Sequence, residues 1–184
     1  MSPDPNKIPS LRRVISGGQS GVDQAALRAA QKCGLACGGW CPPGRATESG
    51  IIPLHFPVQE TPEEHSPDAP DIPRSQRTEW NVRDSDATLI LQPKHLNRKD
   101  PGTDWTVRCA ERSGKLLLIC DPAESSAAAK IGQWLRALSI QTLNVAGPSE
   151  ATAPGIGDQA YALLVEIFSK IDVHWPRGAC AEDA

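Results

Sequence analysis

The feature that most constrains the fold is a short apolar run that breaks into a glycine-rich turn and continues into an alanine-rich segment. It runs Val14-Ile15-Ser16-Gly17-Gly18-Gln19-Ser20-Gly21-Val22-Asp23. The apolar run predicts a strand, and the segment from Ser20 to Cys33 predicts a helix. The glycines permit backbone conformations closed to other residues and let a ligand approach the amides. Because the first amides of a helix lack intrahelical partners and lie at its positive end, we predict an anion site, for phosphate above all, at Gly17, Gly18, Gln19, Ser20 and Gly21.

Helix capping is the structural alternative for two residues of this turn. Ser20 and Asp23 have nearly the spacing of a capping box, in which each side chain satisfies an amide of the first helical turn. For Asp23 taken alone we favour capping over ligand contact. The three glycines favour the ligand site, although a glycine loop by itself is weak evidence.

The order of the predicted elements indicates an α/β fold. Gly34 ends the first helix and Leu35–Trp40 follows as a strand, so the crossover makes the two strands parallel. Further strands are predicted at 87–91, 115–120 and 142–146, and further helices at 74–83, 103–113, 125–138 and 157–172. We therefore predict a single domain over residues 1–184, with a doubly wound, mainly parallel sheet of about five strands and helices on both faces. Neither the G-x-G-x-x-G dinucleotide fingerprint nor a Gly-Lys-Ser/Thr phosphate loop follows the first strand.

The composition of the chain argues against nucleic acid and membranes as binding partners. The 184 residues carry 19 Lys and Arg against 22 Asp and Glu, a net charge of -3, so no overall positive field favours nucleic acid. No apolar stretch is long enough to span a membrane, and residues 1–10 are proline-rich and polar, unlike a secretory signal. We expect a cytoplasmic protein with residues 1–10 and 175–184 as flexible tails.

The six cysteines indicate free thiols rather than a disulfide framework, because a core of this size needs no covalent cross-links and the cytosol keeps thiols reduced. Cys33, Cys37 and Cys41 are expected at a helix end, in a strand and in a loop. No Cys-x-x-Cys pair accompanies them, so we predict no metal site.

The long segment from Cys41 to Pro73 is irregular, and its part 57–73 predicts a proline-rich lid or loop. Arg45 is a candidate to close over an anion, with a solvated surface position as an equal alternative. On the helix that follows, Arg77 and Asn81 share a face with Arg74, and we predict ligand contact for Arg77 and Asn81 but a solvated position for Arg74.

A second helix beginning resembles the first. In Asp100-Pro101-Gly102-Thr103-Asp104-Trp105-Thr106, a glycine and two hydroxyls precede or open a helix. Thr103 is the predicted N-cap, and Gly102, Thr103 and Thr106 are predicted ligand contacts. If the strands that precede the two loops are neighbours, both loops converge at one crevice at the carboxyl edge of the sheet.

Four motifs together resemble the molybdenum cofactor carrier protein family. They are Ser16–Leu27, Gly38–Arg45, Arg77–Asp86 and Asn144–Pro148, in this order, and the resemblance covers almost the whole chain. It implies a Rossmann-like fold, related to the superfamily of the cytokinin-activating phosphoribohydrolases. It also implies a homotetramer that holds the molybdenum cofactor, a molybdenum-bearing phosphorylated pyranopterin, for storage, protection or transfer to molybdoenzymes without altering it.

The resemblance assigns roles to the predicted site residues. Residues 17–21 match the phosphate-side loop, and Gly102, Thr103 and Thr106 match the second loop. The pterin ring system is expected toward the segment from Trp40 to Arg45, where Trp40 is a candidate for stacking. This chain has Ser20-Gly21-Val22-Asp23-Gln24 where the family usually has Thr-Gly-Ala-Asp-Arg, and Ser149 where an arginine is common.

Two other functions stay open at this point. A nucleoside monophosphate N-glycosidase would need a general acid or base, for which Asp23, Glu79 and Asp104 are candidates. A nucleotide-sensing module would bind an adenine-based ligand and report its presence to a partner. We favour a carrier over an enzyme.

Overall fold

The structure, a computed structural model, describes residues 8, 11–95 and 100–171. Over these residues six β-strands and five α-helices follow one another along the chain. They are β1 (Arg13–Ile15), α1 (Val22–Lys32), β2 (Ala36–Cys41), β3 (Val58–Glu60), α2 (Ser75–Arg83), β4 (Ala87–Leu91), α3 (Pro101–Arg112), β5 (Leu116–Cys120), α4 (Ala127–Ala137), β6 (Thr142–Ala146) and α5 (Ile156–Phe168).

The six strands form one parallel sheet in the order β3-β2-β1-β6-β4-β5. The predicted α/β, Rossmann-like architecture is confirmed, but the sheet has six strands rather than about five. The additional strand β3 lies inside the predicted 57–73 loop, where it pairs Val58 with Gly39. Three residues beside Pro57 are too few to show an apolar alternation, so pairing with β2 rather than local pattern makes this strand.

The order of the strands differs from the expectation for the two ligand loops. β1 and β4 are not neighbours, because β6 lies between them and pairs Asn144 with both Ile15 and Thr88. β2 and β3 lie on one side of β1, and β4 and β5 lie on the far side of β6. The last strand of the chain, β6, thus lies between β1 and β4. Three strand ends, those of β1, β6 and β4, therefore lie side by side at one edge of the sheet.

Helices cover both faces of the sheet. One core joins α1, α4 and α5 to side chains from alternate positions of the strands, such as Val14, Leu89 and Leu143. On the other face α2 and α3 pack through Val82 and Trp105. The alternation follows from the period of two in a strand, which sends successive side chains to opposite faces.

All five cysteines in the described part of the chain are free thiols. Cys33 follows α1 and Cys37 lies in β2, as predicted, whereas Cys41 ends β2 instead of lying in a loop. Burial raises the pKa of the Cys109 thiol to about 12.

The structure changes two expectations, one about the N-terminal residue Ile8 and one about the edge strand β5. Ile8, in the predicted N-terminal tail, is buried and pairs with Ile171, while the other residues of both predicted tails lie outside the described residues. The continuous apolar run of β5 is typical of a buried strand, yet β5 is an edge strand with Leu116 and Ile119 partly exposed. Among residues 8, 11–95 and 100–171 no helix has the length and apolarity needed to cross a membrane.

The close approach of β2 to β1 generates a test of the fold. Gly39 has φ +129, and a Cβ there would lie 2.3 Å from the carbonyl oxygen of Ser16. Replacing Gly39 by Ala should lower the free energy of unfolding by about 3 kcal/mol or more, the range of severe core substitutions. Gly114→Ala is the matched control, because Gly114 has φ +61 but nothing within 4 Å of its Cβ position. Urea unfolding should show a cost of about 1 kcal/mol for the control; equal costs would contradict the close contact.

Candidate functional site

A cleft of about 270 Å³ opens where the loops after β1, β4 and β6 meet the beginning of α2. Its polar walls come from five parts of the chain. They are Gln19 and Asp23 beside the first turn, Glu48 in the segment after β2, Arg74 and Arg77 at the start of α2, Asp100 to Thr106 at the start of α3, and Ser149 and Thr152 after β6. The cleft thus lies at the carboxyl edge of the sheet, where ligands bind in open α/β folds.

A buried ion pair forms the floor of the cleft. Arg77 Nη1 donates to Asp23 Oδ2 at 3.0 Å, and the Gln19 amide donates to the same oxygen at 3.3 Å. Asp23 is only 2% exposed. Burial raises the pKa of Asp23 above its ordinary value, although Arg77 opposes the shift. The Nε of Arg77 is buried and has no hydrogen-bond partner among the described residues.

Arg77 also explains why the first residue of the turn, Gly17, has no side chain. A Cβ on Gly17 would lie 1.8 Å from Arg77 Nη1. Any larger side chain would therefore displace the guanidinium from Asp23. Gly17 is required by an internal ion pair and does not line the cleft.

The other two glycines of this turn also face protein atoms. A Cβ on Gly18 would lie 2.8 Å from Ile52 Cδ1, and one on Gly21 would lie 2.7 Å from the carbonyl oxygen of Pro148. That carbonyl also accepts from the amide of Val22, at 3.4 Å. The start of α1 is therefore packed against its neighbours, and Gly18, Ser20 and Gly21 do not line the cleft.

The capping box considered for Ser20 and Asp23 does not form, although Asp23 does reach back to the amide of Gln19. Gly21 is the N-cap of α1 and no side chain caps the helix. Ser20 Oγ instead accepts from the amide of Glu150 at 3.3 Å, which ties the turn to the loop after β6. The carboxylate of Asp23 forms an ion pair with Arg77. Because Arg77 lies 54 residues away in the sequence, no local pattern indicates this contact.

At the second helix, the predicted N-cap is also corrected. α3 begins at Pro101, and the cap is Asp100, whose carboxylate accepts from the amide of Thr103 at 2.8 Å. Aspartate before proline is a strong helix start, because proline sets the helical φ and needs no donor. Thr106 Oγ1 donates to the carbonyl of Gly102 at 2.9 Å. Thr103 is 4% exposed, and its hydroxyl has no partner among the residues the structure describes.

Arg74 lies at the cleft with a partner on either side. Its Nη1 donates to Gln19 Oε1 at 2.8 Å, and its Nη2 lies 3.6 Å from Glu48 Oε1. Gln19 in turn donates to the carbonyl of Ala46 at 3.0 Å. Arg74 was expected to be solvated, yet this chain of contacts joins α2, the first turn and the segment after β2 at the cleft.

Two predicted contacts, Trp40 and Asn81, lie away from the cleft and bind each other. The side-chain amide of Asn81 accepts from the backbone N–H of Trp40 and donates to its carbonyl, both at 2.9 Å. The Trp40 ring meets Trp80 edge to face at 4.7 Å, and its Nε1 donates to Asp84 at 2.7 Å. These groups fix α2 on β2.

Arg45, a third predicted contact, is also directed elsewhere. Its guanidinium donates to four backbone carbonyls of its own segment, those of Ile52, Pro53, Phe56 and Val58, at 3.0 to 3.3 Å. It folds the segment between β2 and β3.

The structure therefore brings together five of the twelve predicted site residues in the cleft: Gln19, Arg77, Gly102, Thr103 and Thr106. Sequence reasoning did not assign Glu48, Asp100, Ser149 or Thr152 to the site. For Asp100 the Asp-Pro helix start was an available signal. For Glu48 there was none, since only the folding of its segment brings it to Arg74.

The charged side chains that line the cleft do not give it a net positive charge. Two arginines, Arg74 and Arg77, face three carboxylates, those of Asp23, Glu48 and Asp100. The carboxylate of Asp23 is paired with Arg77. The carboxylate of Asp100 accepts from the amide of Thr103 at the start of α3. Only the longer contact between Arg74 and Glu48 is readily exchanged for a ligand anion, because both side chains are partly exposed.

The fold is that of a Rossmann-like α/β protein with a cleft at the topological switch point of its sheet. The model of the circularly permutated YpsA SLOG family matches residues 14–168. A solved structure from Syntrophus aciditrophicus SB, named "Putative molybdenum carrier protein", is 38% identical, with a TM-score of 0.75 over 87% of this chain and 96% of that one. A comparison with curated proteins found no match. The chain belongs to the circularly permutated YpsA SLOG family, and its predicted resemblance to molybdenum carrier proteins is confirmed.

The contacts of Arg45 predict a structural rather than a ligand-binding effect on substitution. Arg45→Met keeps the length of the side chain but removes its four donors, so the segment 46–58 should loosen. We expect a loss of about 2 kcal/mol in the free energy of unfolding, measured with urea, and faster proteolysis within 46–58. Arg108→Met, at an exposed position of α3, is the control. An unchanged stability and proteolysis rate in Arg45→Met would refute this role.

Proposed function

We propose that the protein is a carrier that binds the phosphate end of the molybdenum cofactor in the cleft and does not alter it. Membership of the family and the name of the Syntrophus protein support this ligand class. The observation that carries the proposal is the pair of unpartnered polar atoms, Arg77 Nε and Thr103 Oγ1, on residues of the same cleft. Both are donors, which suits an anionic oxygen.

The residues of the cleft fit a phosphate through side chains rather than through helix amides. The amide of Val22 at the start of α1 donates to Pro148, and that of Thr103 in α3 donates to Asp100. Arg74, Arg77 and Thr103 supply the alternative donors. A guanidinium matches the geometry of a phosphate group and carries a permanent charge, so the two arginines are the principal expected contacts.

The size of the cleft suits part of the ligand. A volume of about 270 Å³ lies just below the usual range of roughly 300–1,000 Å³ for small-molecule sites. We infer that the phosphate end is enclosed and the pterin is only partly covered. Such a site protects a ligand and still permits its transfer, which is the task of a carrier. Molybdoenzymes that receive the cofactor would be its partners.

Arg74 and Thr103 allow a direct test of the phosphate contact. Arg74→Gln and Thr103→Val should each weaken the binding of isolated molybdenum cofactor, about tenfold for the arginine and about fivefold for the hydroxyl, corresponding to losses near 1 kcal/mol or slightly more. Calorimetric titration measures both. The matched control is Arg108→Gln, which removes a cation from an exposed position of the same helix that carries Thr103.

The result that would overturn the proposal is equally concrete. The wild-type protein would show no saturable heat with the cofactor, or Arg74→Gln and Arg108→Gln would bind with the same affinity. Mass spectrometry of any ligand that survives purification separates a pterin from an adenine nucleotide, the ligand of a sensing module.

Asp23 favours a second candidate function, an N-glycosidase acting on nucleoside monophosphates. Of the three carboxylates considered as proton donors, only Asp23 lines the cleft, whereas Glu79 lies in a separate groove between α2 and α3. Asp104 is exposed. A buried carboxyl with a raised pKa is suited to protonate a leaving base.

The sign of the pKa shift makes this candidate testable by its pH profile. Because burial raises the pKa of Asp23, the proton is retained to a higher pH than usual, and base release should fall as pH rises through the shifted pKa. Chromatography of purine monophosphates incubated with the protein measures the release, which Asp23→Asn should abolish. If the wild type releases no free base at any pH between 4 and 9, this candidate function is rejected. The proposal that the protein is a carrier is unaffected by that result.

A further inference from the structure

The contact between Arg74 and Glu48 is the looser of two ionic contacts that line the cleft in the described part of the chain. Arg74 Nη2 lies 3.6 Å from Glu48 Oε1, which is beyond the usual length of a charge-assisted hydrogen bond. Arg77 and Asp23 are closer, at 3.0 Å, and the Asp23 side chain is only 3% exposed, against 34% for Glu48. Water therefore reaches the Glu48 carboxylate, and separation from Arg74 costs it little.

The backbone of Arg74 indicates that its side chain is needed at this place. Arg74 is the N-cap of α2 and has φ +58 and ψ +27, in the left-handed region. Glycine adopts this conformation without a steric cost, whereas arginine does not. Strain of this kind is concentrated at functional sites, which indicates that the guanidinium rather than the turn requires this residue.

The guanidinium of Arg74 has a second partner that holds it independently of Glu48. Arg74 Nη1 donates to Gln19 Oε1 at 2.8 Å. Gln19 is 6% exposed, and its side-chain amide donates to the carbonyl of Ala46 at 3.0 Å. A neutral amide orients the arginine but does not compensate its charge. An anion that enters the cleft therefore meets a guanidinium that is already oriented, with Nη2 as the group to be shared.

Glu48 lies at the tip of a small hairpin, and its side chain can move while the hairpin stays in place. The amide of Thr47 donates to the carbonyl of Gly50 at 2.8 Å, and Ala46 pairs antiparallel with Ile51. These contacts hold the backbone on both sides of Glu48, whereas its side chain can change rotamer toward water. Exchange of the carboxylate for another anion thus requires the rotation of one side chain.

We propose that Glu48 is an internal competitor for the anion of the ligand. Its carboxylate neutralises Arg74, and a phosphate must replace it there before the arginine can bind the ligand. The affinity of the cleft then reflects the difference between two anions at one arginine rather than the full strength of one contact. Removing this carboxylate should strengthen binding, which is the opposite of the effect expected for Arg74 and Thr103.

This inference rests on the proposed function only in that the exchanging group is a phosphate. It also bears on release, which a carrier must accomplish as well as binding. When the phosphate departs, the carboxylate of Glu48 returns to Arg74 and compensates its charge. The same contact that weakens binding therefore assists release.

Glu48→Gln tests the competition, with inorganic phosphate and isolated molybdenum cofactor as the two probes. The substitution keeps the length of the side chain and removes its charge. Both probes should bind about fivefold more tightly in calorimetric titration, the effect of one partly exposed ion pair. The matched control is Glu111→Gln, which removes the same charge from an exposed position near the end of α3 and should leave both affinities unchanged.

A double-mutant cycle separates exchange at Arg74 from general repulsion between a carboxylate and the phosphate. If Glu48 acts through Arg74, the gain from Glu48→Gln should fall from about fivefold to less than about twofold when Arg74→Gln is already present. An equal gain in both backgrounds would overturn the proposal. So would phosphate binding that Glu48→Gln leaves unchanged or weakens.

The two probes distinguish failure of this inference from failure of the proposed function. If phosphate binds more tightly to Glu48→Gln but the cofactor binds to neither form, the competitor is supported and the carrier is rejected. If the cofactor binds equally to the wild type and to Glu48→Gln, the carrier is supported and the competitor is rejected. If neither probe shows saturable binding to either form, both proposals are rejected.

Discussion

The buried contact between Arg77 and Asp23 is the interaction on which the site depends. It joins the first helix to the second across the end of β1, over a separation of 54 residues. A charge pair with little access to water is stable only if both partners stay in place, since removing one leaves the other unpaired at a cost of about 3–5 kcal/mol. Gly17 leaves room for the guanidinium. This contact thereby connects the turn after β1 to α2 and forms the floor of the cleft.

The sequence predicted the class of fold because its signals are local. Apolar runs mark β4, β5 and β6, and helical periodicity with glycine stops marks the helices between them. The position of β6 between β1 and β4 could not be predicted, since strand order depends on how the whole sheet closes. β3 was missed for the same reason: three residues form a strand only because β2 provides a partner.

The site was predicted less completely, for a physical reason that Gly17, Gly18 and Gly21 illustrate. Glycine indicates that something comes close to the backbone, but not what it is. The pattern suggested a ligand, whereas the structure has Arg77, Ile52 and Pro148 in these places. Thr103 was predicted to line the site because it lies at a helix start, and it does line the cleft, although Asp100 and not Thr103 caps the helix. Glu48 carries no local signal, and its place beside Arg74 follows only from the folding of the segment that Arg45 holds.

The anchoring of α2 to β2 by Asn81 gives the cleft two unlike sides. Asn81 fixes the helix through two hydrogen bonds to one residue of the sheet, so Arg77 is carried by a rigid element. Glu48 belongs to a segment attached to the turn by the bond from Gln19 to Ala46. The two sides of the cleft are therefore held differently, since Arg77 lies on a helix fixed to the sheet, whereas Glu48 lies on a connecting segment held by Arg45 and Gln19. Under the proposed function, an anion that replaced Glu48 beside Arg74 would leave the contact between Arg77 and Asp23 in place.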